Sequence, residues 1–340
     1  MPELRKDSIS GEWVIIAPER YSRPAGQVSS QLSDDANDDC PFCRGHEDET
    51  PVAALTINRD GECVAGESDW LVRIVANAFP AMRPPGTSAE PSAELFGGSD
   101  FFQAAPGVGV HEVIVESPDH VCSMTQHDVP QFERIVTAWQ TRLGQLAERD
   151  ELRYVTLFRN SGTTAGGSVA HAHSQLLATT FVPPRIKTEL QAAIASRQNT
   201  GRSPWATMVE QELAAGCRII SESNHFTVFC PFASRFASEI WIVPRRPEPD
   251  FSAATPEELA DLAVVLRNTL CRLDAAFDRP AFNLTVHTAP LREPGREAFH
   301  WHVEITPRLS GIAGFEISSG TWINVVAPEE AAARLRDASV

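Results

Sequence analysis

Residues 160–175 read NSGTTAGGSVAHAHSQ, and the fold and chemistry of the chain turn on this stretch. Its sixteen positions gather the amide of Asn160, three glycines (Gly162, Gly166, Gly167), the hydroxyl of Ser168 and two histidines one residue apart, His171 and His173. The apolar runs Tyr154–Phe158 before it and Leu176–Val182 after it are expected to be strands. In an extended strand residues i and i+2 share a face, so His171 and His173 should project side by side. Glycine lets the backbone bend closely around a ligand, and exposed loop N–H groups suit phosphate oxygens. Imidazole, neutral enough near pH 7, serves as a nucleophile or a metal ligand. The plainer reading is a glycine turn before a strand with two ordinary histidines. It leaves so many converging polar groups without a purpose.

At 340 residues the chain can bury a large core, as one domain or two. Net charge is −16, from 29 basic and 45 acidic residues, which argues against nucleic acid or an anionic membrane as partner. A phosphorylated substrate stays open, because local arginines override a global field. The opening MPELRKDSIS has no apolar signal region, and no stretch is long enough to span a bilayer, so a cytoplasmic location is expected. Of seven cysteines only Cys40 and Cys43 are closely spaced, which fits a reduced compartment with one metal-binding pair better than a disulfide framework.

Along the chain, Glu12–Ala17 reads as a strand, followed by Arg20 and Arg23 in a proline-bounded turn. Two such arginines either clamp a phosphate or simply lie solvated at the surface. Residues 25–38 are a polar connector. The C-x-x-C of Cys40 and Cys43 is half a zinc site or a redox pair. Its flanks, Asp38-Asp39 and Arg44-Gly45-His46, lack the strand-to-helix context of a redox pair. Strands follow at Trp70–Val75 and His111–Glu116, separated by a loop from about Arg83 to Gly107. A helix is expected over Pro130–Arg149, with Phe132, Ile135, Val136, Trp139, Leu143 and Leu146 at helical spacing. The second half repeats this order: strands at Phe226–Phe229 and Glu239–Val243, a helix at Thr255–Phe277, then strands at Phe282–His287 and Phe299–Thr306. His300 and His302 fall where His171 and His173 fell, and Glu304 falls at Gln175, so the pattern is an internal duplication. The fold class expected is α+β: two halves, 1–182 and 183–340, with a mainly antiparallel sheet and flanking helices. The second copy lacks the glycine loop, which assigns the chemistry to the first.

The spacing N-x-G-x3-G-x-S-x2-H-x-H-x-Q, carried by Asn160, Gly162, Gly166, Ser168, His171, His173 and Gln175, resembles the galactose-1-phosphate uridylyltransferase family of the histidine-triad superfamily. The likeness runs through RKDSISGEWVIIAPERYSRP, CPFC, NAFPAM, HEVIVESPDH, HTAPL, FHWHVEITP and GFEISSGTWIN, nearly the whole chain. It implies two histidine-triad-like halves, and His173 as the nucleophile that attacks the α-phosphorus of a nucleotide sugar. Gln175 would bond the phosphoryl oxygens, and Ser168 with the loop at Gly166 and Gly167 would hold the leaving phosphate. Arg20, Arg23, Asn77 and Asn160 match positions that touch nucleotide or phosphates. Cys40, Cys43, His120 and His171 match a zinc site, while Glu189, His287, His300 and His302 match a second metal site for zinc or iron. The implied partners are a nucleotide sugar and a sugar 1-phosphate, in a homodimer.

Two positions depart from many galactose enzymes, which carry proline between the histidines and glycine after them. Here the residues are Ala172 and Ser174. With GFEISSGTWIN, these resemble ADP-glucose phosphorylases, relatives that bind adenine and pass the nucleotide to phosphate. Three functions therefore follow from the sequence: UDP-glucose–hexose-1-phosphate uridylyl transfer in galactose metabolism, adenylyl transfer to phosphate on the same fold, or a zinc-stabilised nucleotide-binding protein or hydrolase. The pair His173 and Gln175 speaks against the third.

Overall fold

Residues 2–22, 40–64, 69–86 and 104–339 are described by the computed structural model. Arg23, the connector 25–38 and the centre of the loop expected from Arg83 to Gly107 lie outside the described residues. In chain order the elements are β1 (Glu3–Lys6), β2 (Trp13–Ile16), β3 (Leu55–Ile57), β4 (Cys63–Val64), β5 (Val72–Ala76), β6 (Gly109–Val115), α1 (Val129–Ala147), β7 (Tyr154–Ser161) and β8 (His173–Thr179). There follow α2 (Pro184–Thr200), α3 (Pro204–Ala215), β9 (Ile219–Glu222), β10 (Phe226–Phe229), β11 (Ile240–Pro244), α4 (Pro256–Phe277), β12 (Phe282–His287), β13 (His302–Pro307), α5 (Gly314–Ser319), β14 (Trp322–Asn324) and α6 (Pro328–Asp337).

The two long helices form where the apolar stripes fall. Asp128 caps α1 by accepting from the Gln131 N–H at 2.9 Å, and all six residues of the expected stripe are buried. Thr255 and Glu258 cap α4 reciprocally, and Leu259, Leu262, Val265, Leu266 and Leu270 are buried. Each large apolar side chain so removed from water contributes roughly 1.5–3 kcal/mol. Both helices belong to one apolar cluster with β7, β8, β12 and β13, so they cover the same face of the sheet.

That sheet has eleven strands in the order β4-β3-β5-β6-β8-β7-β12-β13-β11-β10-β9. Read outward from the centre, the first half runs β7, β8, β6, β5 and the second runs β12, β13, β11, β10. The chain reaches them in the same sequence each time, strand, strand, helix, strand, histidine strand. At the centre β7 and β12 pair antiparallel, from Phe282 opposite Ser161 to Val286 opposite Leu157. The fold is α+β and duplicated. A small separate sheet, β1-β2-β14, holds the parallel pair of β2 and β14.

Two expectations are corrected. The histidine strands begin at His173 and His302, not before them, so His171 and His300 lie in the approach. Ahead of β8 the Ala172 N–H donates to the Val121 carbonyl at 2.6 Å, which draws the chain toward the loop after β6. The second correction is an addition: α2 and α3 stand in a region to which the periodicity assigned no element.

Candidate functional site

Strand alternation builds the site. On β8, Ser174 and Leu176 face the helices: Ser174 Oγ accepts from Trp139 Nε1 at 2.8 Å, and Leu176 is buried in the core. His173 and Gln175 therefore face the other side. Opposite them stand Val115 and Val113 of β6 and, across Gln175, Phe158 of β7. Between β7 and β8 the chain makes a short helical turn, Thr163–Ala165, closed by Gly166 at φ 87°, where an L side chain would be strained. A Cβ on Gly167 would lie 3.0 Å from the carbonyl oxygens of both Asn160 and Gly162, so this close approach also demands glycine. The loop walls a cavity of about 370 Å³ lined by Arg159, Asn160, Gly167, Ser168, His171 and His173 among others. A larger cleft, about 720 Å³, lies between Arg202, Arg245 and His300 in the second half and contains none of these groups.

The two histidines are held by different bonds. His171, fully buried, gives its Nε2–H to the Ser117 carbonyl at 2.9 Å, which turns the Nδ1 lone pair outward. His173 gives its Nδ1–H to the His171 carbonyl at 2.8 Å, which leaves the Nε2 lone pair free. Burial lowers the pKa of His173 and holds His171 at about 4, so both rings are neutral at pH 7. Behind them Arg159 pairs with Glu116 and also donates to the His173 carbonyl at 3.1 Å. Phe42 packs against both rings, at 5.9 and 5.7 Å between centroids.

His171 Nδ1 points at two sulfurs, 3.5 Å from Cys40 Sγ and 3.6 Å from Cys43 Sγ, while Cys43 Sγ lies 3.4 Å from His120 Nδ1. Four donors around a tetrahedral zinc, with Zn–S about 2.3 Å and Zn–N about 2.05 Å, should show S···N separations of about 3.6 Å. These four therefore fit a closed zinc site, and all four ligand atoms lie within 4.8 Å of one another. The Ser117 carbonyl supplies the outer bond that aims a ligating histidine. Burial, with the neighbouring Cys40, pushes the Cys43 thiol up to about 11. A bound cation reverses that direction, since the thiolate is the ligating form.

Gln175 and Asn77 also meet: Asn77 Nδ2 lies 3.5 Å from Gln175 Oε1. Asn160 Oδ1 accepts from Asn283 Nδ2 at 2.7 Å, so the second half orients it. Arg20 is not brought to the cavity; it lies exposed in the short helical turn Pro18–Ser22 beyond β2. Three residues escaped sequence reasoning: His111, Arg159 and Asn283. His111 bonds Gln175 across the β6–β8 pairing, and only knowledge of strand register could have brought it forward.

In the second half His300 gives its Nε2–H to the Pro244 carbonyl at 2.9 Å, and His302 gives its Nδ1–H to the His300 carbonyl at 3.0 Å. Both bonds copy the first half. Glu189, His287 and His302 form a buried group whose ligand atoms also lie within 4.8 Å, with His287 Nδ1 3.1 Å from Glu189 Oε2. His300 stands outside that group. Among the described residues His302 Nε2 is buried with no hydrogen-bond partner, and it lies 3.7 Å from a Glu304 oxygen. That oxygen already accepts from Arg185 Nη2 at 2.7 Å, so the fit to a metal ion rests on the donor set of Glu189, His287 and His302, one carboxylate and two imidazoles. Trp205, Trp241 and Phe299 wall in the His302 ring.

Comparison with known proteins agrees with this architecture. A family model described as galactose-1-phosphate uridyl transferase, N-terminal domain, matches residues 1–183, and one described as a domain of unknown function, DUF4921, matches residues 116–338. The ADP-glucose phosphorylase of Arabidopsis thaliana is 32% identical over 100% of this chain and 93% of its own length. The galactose-1-phosphate uridylyltransferase of Thermotoga maritima is 28% identical over 100% of this chain and 99% of its own. The crystal structure of the Arabidopsis ADP-glucose phosphorylase with bound ADP-glucose superposes with a TM-score of 0.82 at 31% identity, covering both chains fully. With a family model matching more than half its length and a relative above 30% identity along all of it, the chain belongs to the galactose-1-phosphate uridylyltransferase family, whose members are nucleotidyl-transferring enzymes.

Proposed function

We propose that this chain moves a nucleotidyl group from a nucleotide sugar to a phosphate-bearing acceptor by way of His173. In the first step Nε2 forms a bond to the α-phosphorus while the bridging P–O bond breaks, and sugar 1-phosphate leaves with the bridging oxygen. In the second step an acceptor phosphate oxygen attacks the same phosphorus, and the N–P bond breaks. The observation that carries this reading is the His173 Nδ1–H bond to the His171 carbonyl at 2.8 Å, which fixes the tautomer with Nε2 unprotonated. Gln175 would donate to the phosphoryl oxygens, with Ser168 and the loop at Gly166 and Gly167 around the leaving phosphate; the N–H groups of those two glycines are themselves bonded to the Thr163 and Gly162 carbonyls and so shape the loop. Asn77, Asn160, Arg20 and Arg23 would touch the nucleotide or the phosphates, although Arg20 stands away from the cavity of this chain. Residues 1–182 carry the reaction in this reading and 183–340 support it.

Cys40, Cys43, His120 and His171 would hold a zinc ion, which when bound supplies structural cross-linking of three segments and no open coordination position. Glu189, His287, His300 and His302 would hold the second ion; of these, His300 needs a side-chain adjustment to join.

For the substrate, we propose UDP-glucose and a hexose 1-phosphate, the uridylyltransferase reaction. Adenylyl transfer from ADP-glucose to phosphate is the second reading, favoured by the 32% identity to the ADP-glucose phosphorylase. The departures at Ala172 and Ser174 do not decide between them. Both are buried, and Ser174 bonds Trp139 in the core rather than facing the cavity. Incubation with UDP-glucose or ADP-glucose, each offered galactose 1-phosphate or inorganic phosphate, separates the readings by which pair turns over.

A further inference from the structure

Gln175 can help or hinder a phosphoryl group depending on which end of its amide faces forward. The NH2 end donates to anionic oxygens, and the carbonyl end repels them. The surroundings of Gln175 settle the matter through a chain of bonds that begins in the loop after β5. The Ala81 N–H donates to His111 Nδ1 at 3.0 Å. A neutral imidazole that accepts at Nδ1 carries its proton on Nε2. That Nε2–H points at Gln175 Oε1, 2.9 Å away. The opposite amide orientation would set an N–H of Gln175 against the N–H of His111, donor against donor. Asn77 acts in the same sense. Its Oδ1 accepts from the Phe79 N–H at 2.8 Å, so its Nδ2 turns the same way, 3.5 Å from Gln175 Oε1 and 3.3 Å from His111 Nε2; with the His111 proton fixed on Nε2 by the Ala81 N–H, only the Gln175 oxygen can accept from it. Two donors thus converge on the carbonyl end of Gln175. Among the described residues the NH2 end has no partner, and Gln175 shares its strand face with His173.

We infer that His111 is a positioning residue: it locks the Gln175 amide with its NH2 toward the phosphoryl group being transferred to His173. The inference rests on the nucleotidyl-transfer reading of the site and adds to it a specific requirement, an N–H at the His111 Nε2 position. His111 itself touches no reacting atom. It also ties the loop carrying Asn77 to the strand carrying Gln175, since the Asn77 N–H donates to the His111 carbonyl at 2.9 Å.

The test uses the full chain and two variants. His111→Leu removes both bonds. His111→Gln keeps an N–H at the reach of Nε2 and an oxygen able to accept from Ala81. The readouts are the single-turnover rate of labelling from α-phosphate-labelled UDP-glucose or ADP-glucose, KM for that nucleotide sugar, and melting temperature. His111→Leu is expected to slow labelling about 10-fold or more, short of the roughly 10²–10³ lost when a transition-state donor is deleted outright. KM should change less than about 3-fold, because the interaction strengthens only in the transition state. His111→Gln should recover most of the rate. Labelling by His111→Leu at the wild-type rate, or equal rate losses in both variants with a matching fall in melting temperature, overturns the inference. A measurement independent of turnover stands beside these. The 15N imidazole spectrum, assigned by difference against His111→Gln, should show the Nε2–H tautomer, and the Nδ1–H tautomer would refute the assignment. If the wild-type chain takes label from neither nucleotide sugar, the nucleotidyl-transfer reading fails, while the tautomer still decides the role of His111.

Discussion

Replacing Arg159 with Met tests the electrostatics beneath the nucleophile. Arg159 and Glu116 pair with side chains 2% and 0% exposed, and among the described residues neither Arg159 Nε nor Glu116 Oε1 has a partner. The pair has already lost its hydration, so removing one member strands the other as an uncompensated buried charge. That loss costs about 3–5 kcal/mol, whereas replacing both members together is often close to neutral. At about 2.1 cal/mol/K of unfolding entropy per residue, 340 residues give about 0.7 kcal/mol/K, so the single substitution should lower Tm by about 4–7 °C. The double variant Arg159→Met with Glu116→Gln should regain most of that. The two charges act on the His173 pKa in opposite senses, and burial is the larger cause, so the double variant should also keep His173 neutral at pH 7. Urea unfolding of the two singles and the double forms a double-mutant cycle. A single variant within about 1 kcal/mol of wild type would refute the reasoning, given the cost expected for an orphaned buried charge. So would a double variant whose loss equals the sum of the singles.

Cys40→Ser should lower zinc content and Tm together, because the ligands come from three distant segments and binding energy is folding energy; elemental analysis with calorimetry checks this, and unchanged zinc would favour an inert or redox pair. His302→Ala should lose second-site metal or stability yet still take nucleotidyl label on His173, since its ring is walled by Trp205, Trp241 and Phe299. A folded His302→Ala protein with full metal content and no label would make the second half catalytic.

The helices α1 and α4 were legible because their apolar residues recur at helical spacing and their caps are explicit. The duplication was legible because two histidine pairs follow the same order of elements. By contrast α2 buries only Ile186, Glu189, Leu190 and Ala193, one of them a carboxylate, so no apolar stripe announces it. Within the site, the motif residues stand close together in sequence and could be read from spacing. His111 could not, because its partner is 64 positions away and the contact depends on the register of β6 against β8. Arg159 was hidden for a related reason. A charged residue just past an apolar β-run reads as a solvent-facing position, and only the fold, which extends the strand to Ser161, shows Glu116 beside it.

His173 should carry the nucleotidyl group between the two half-reactions. The full-length chain should be mixed with α-phosphate-labelled UDP-glucose and with ADP-glucose labelled likewise, quenched in base to protect the N–P bond, digested and mapped by mass spectrometry. One nucleotidyl group on His173, released on adding galactose 1-phosphate or inorganic phosphate and missing from a folded His173→Ala variant, is the result expected. Label retained by His173→Ala, or mapped to another residue, would contradict the account.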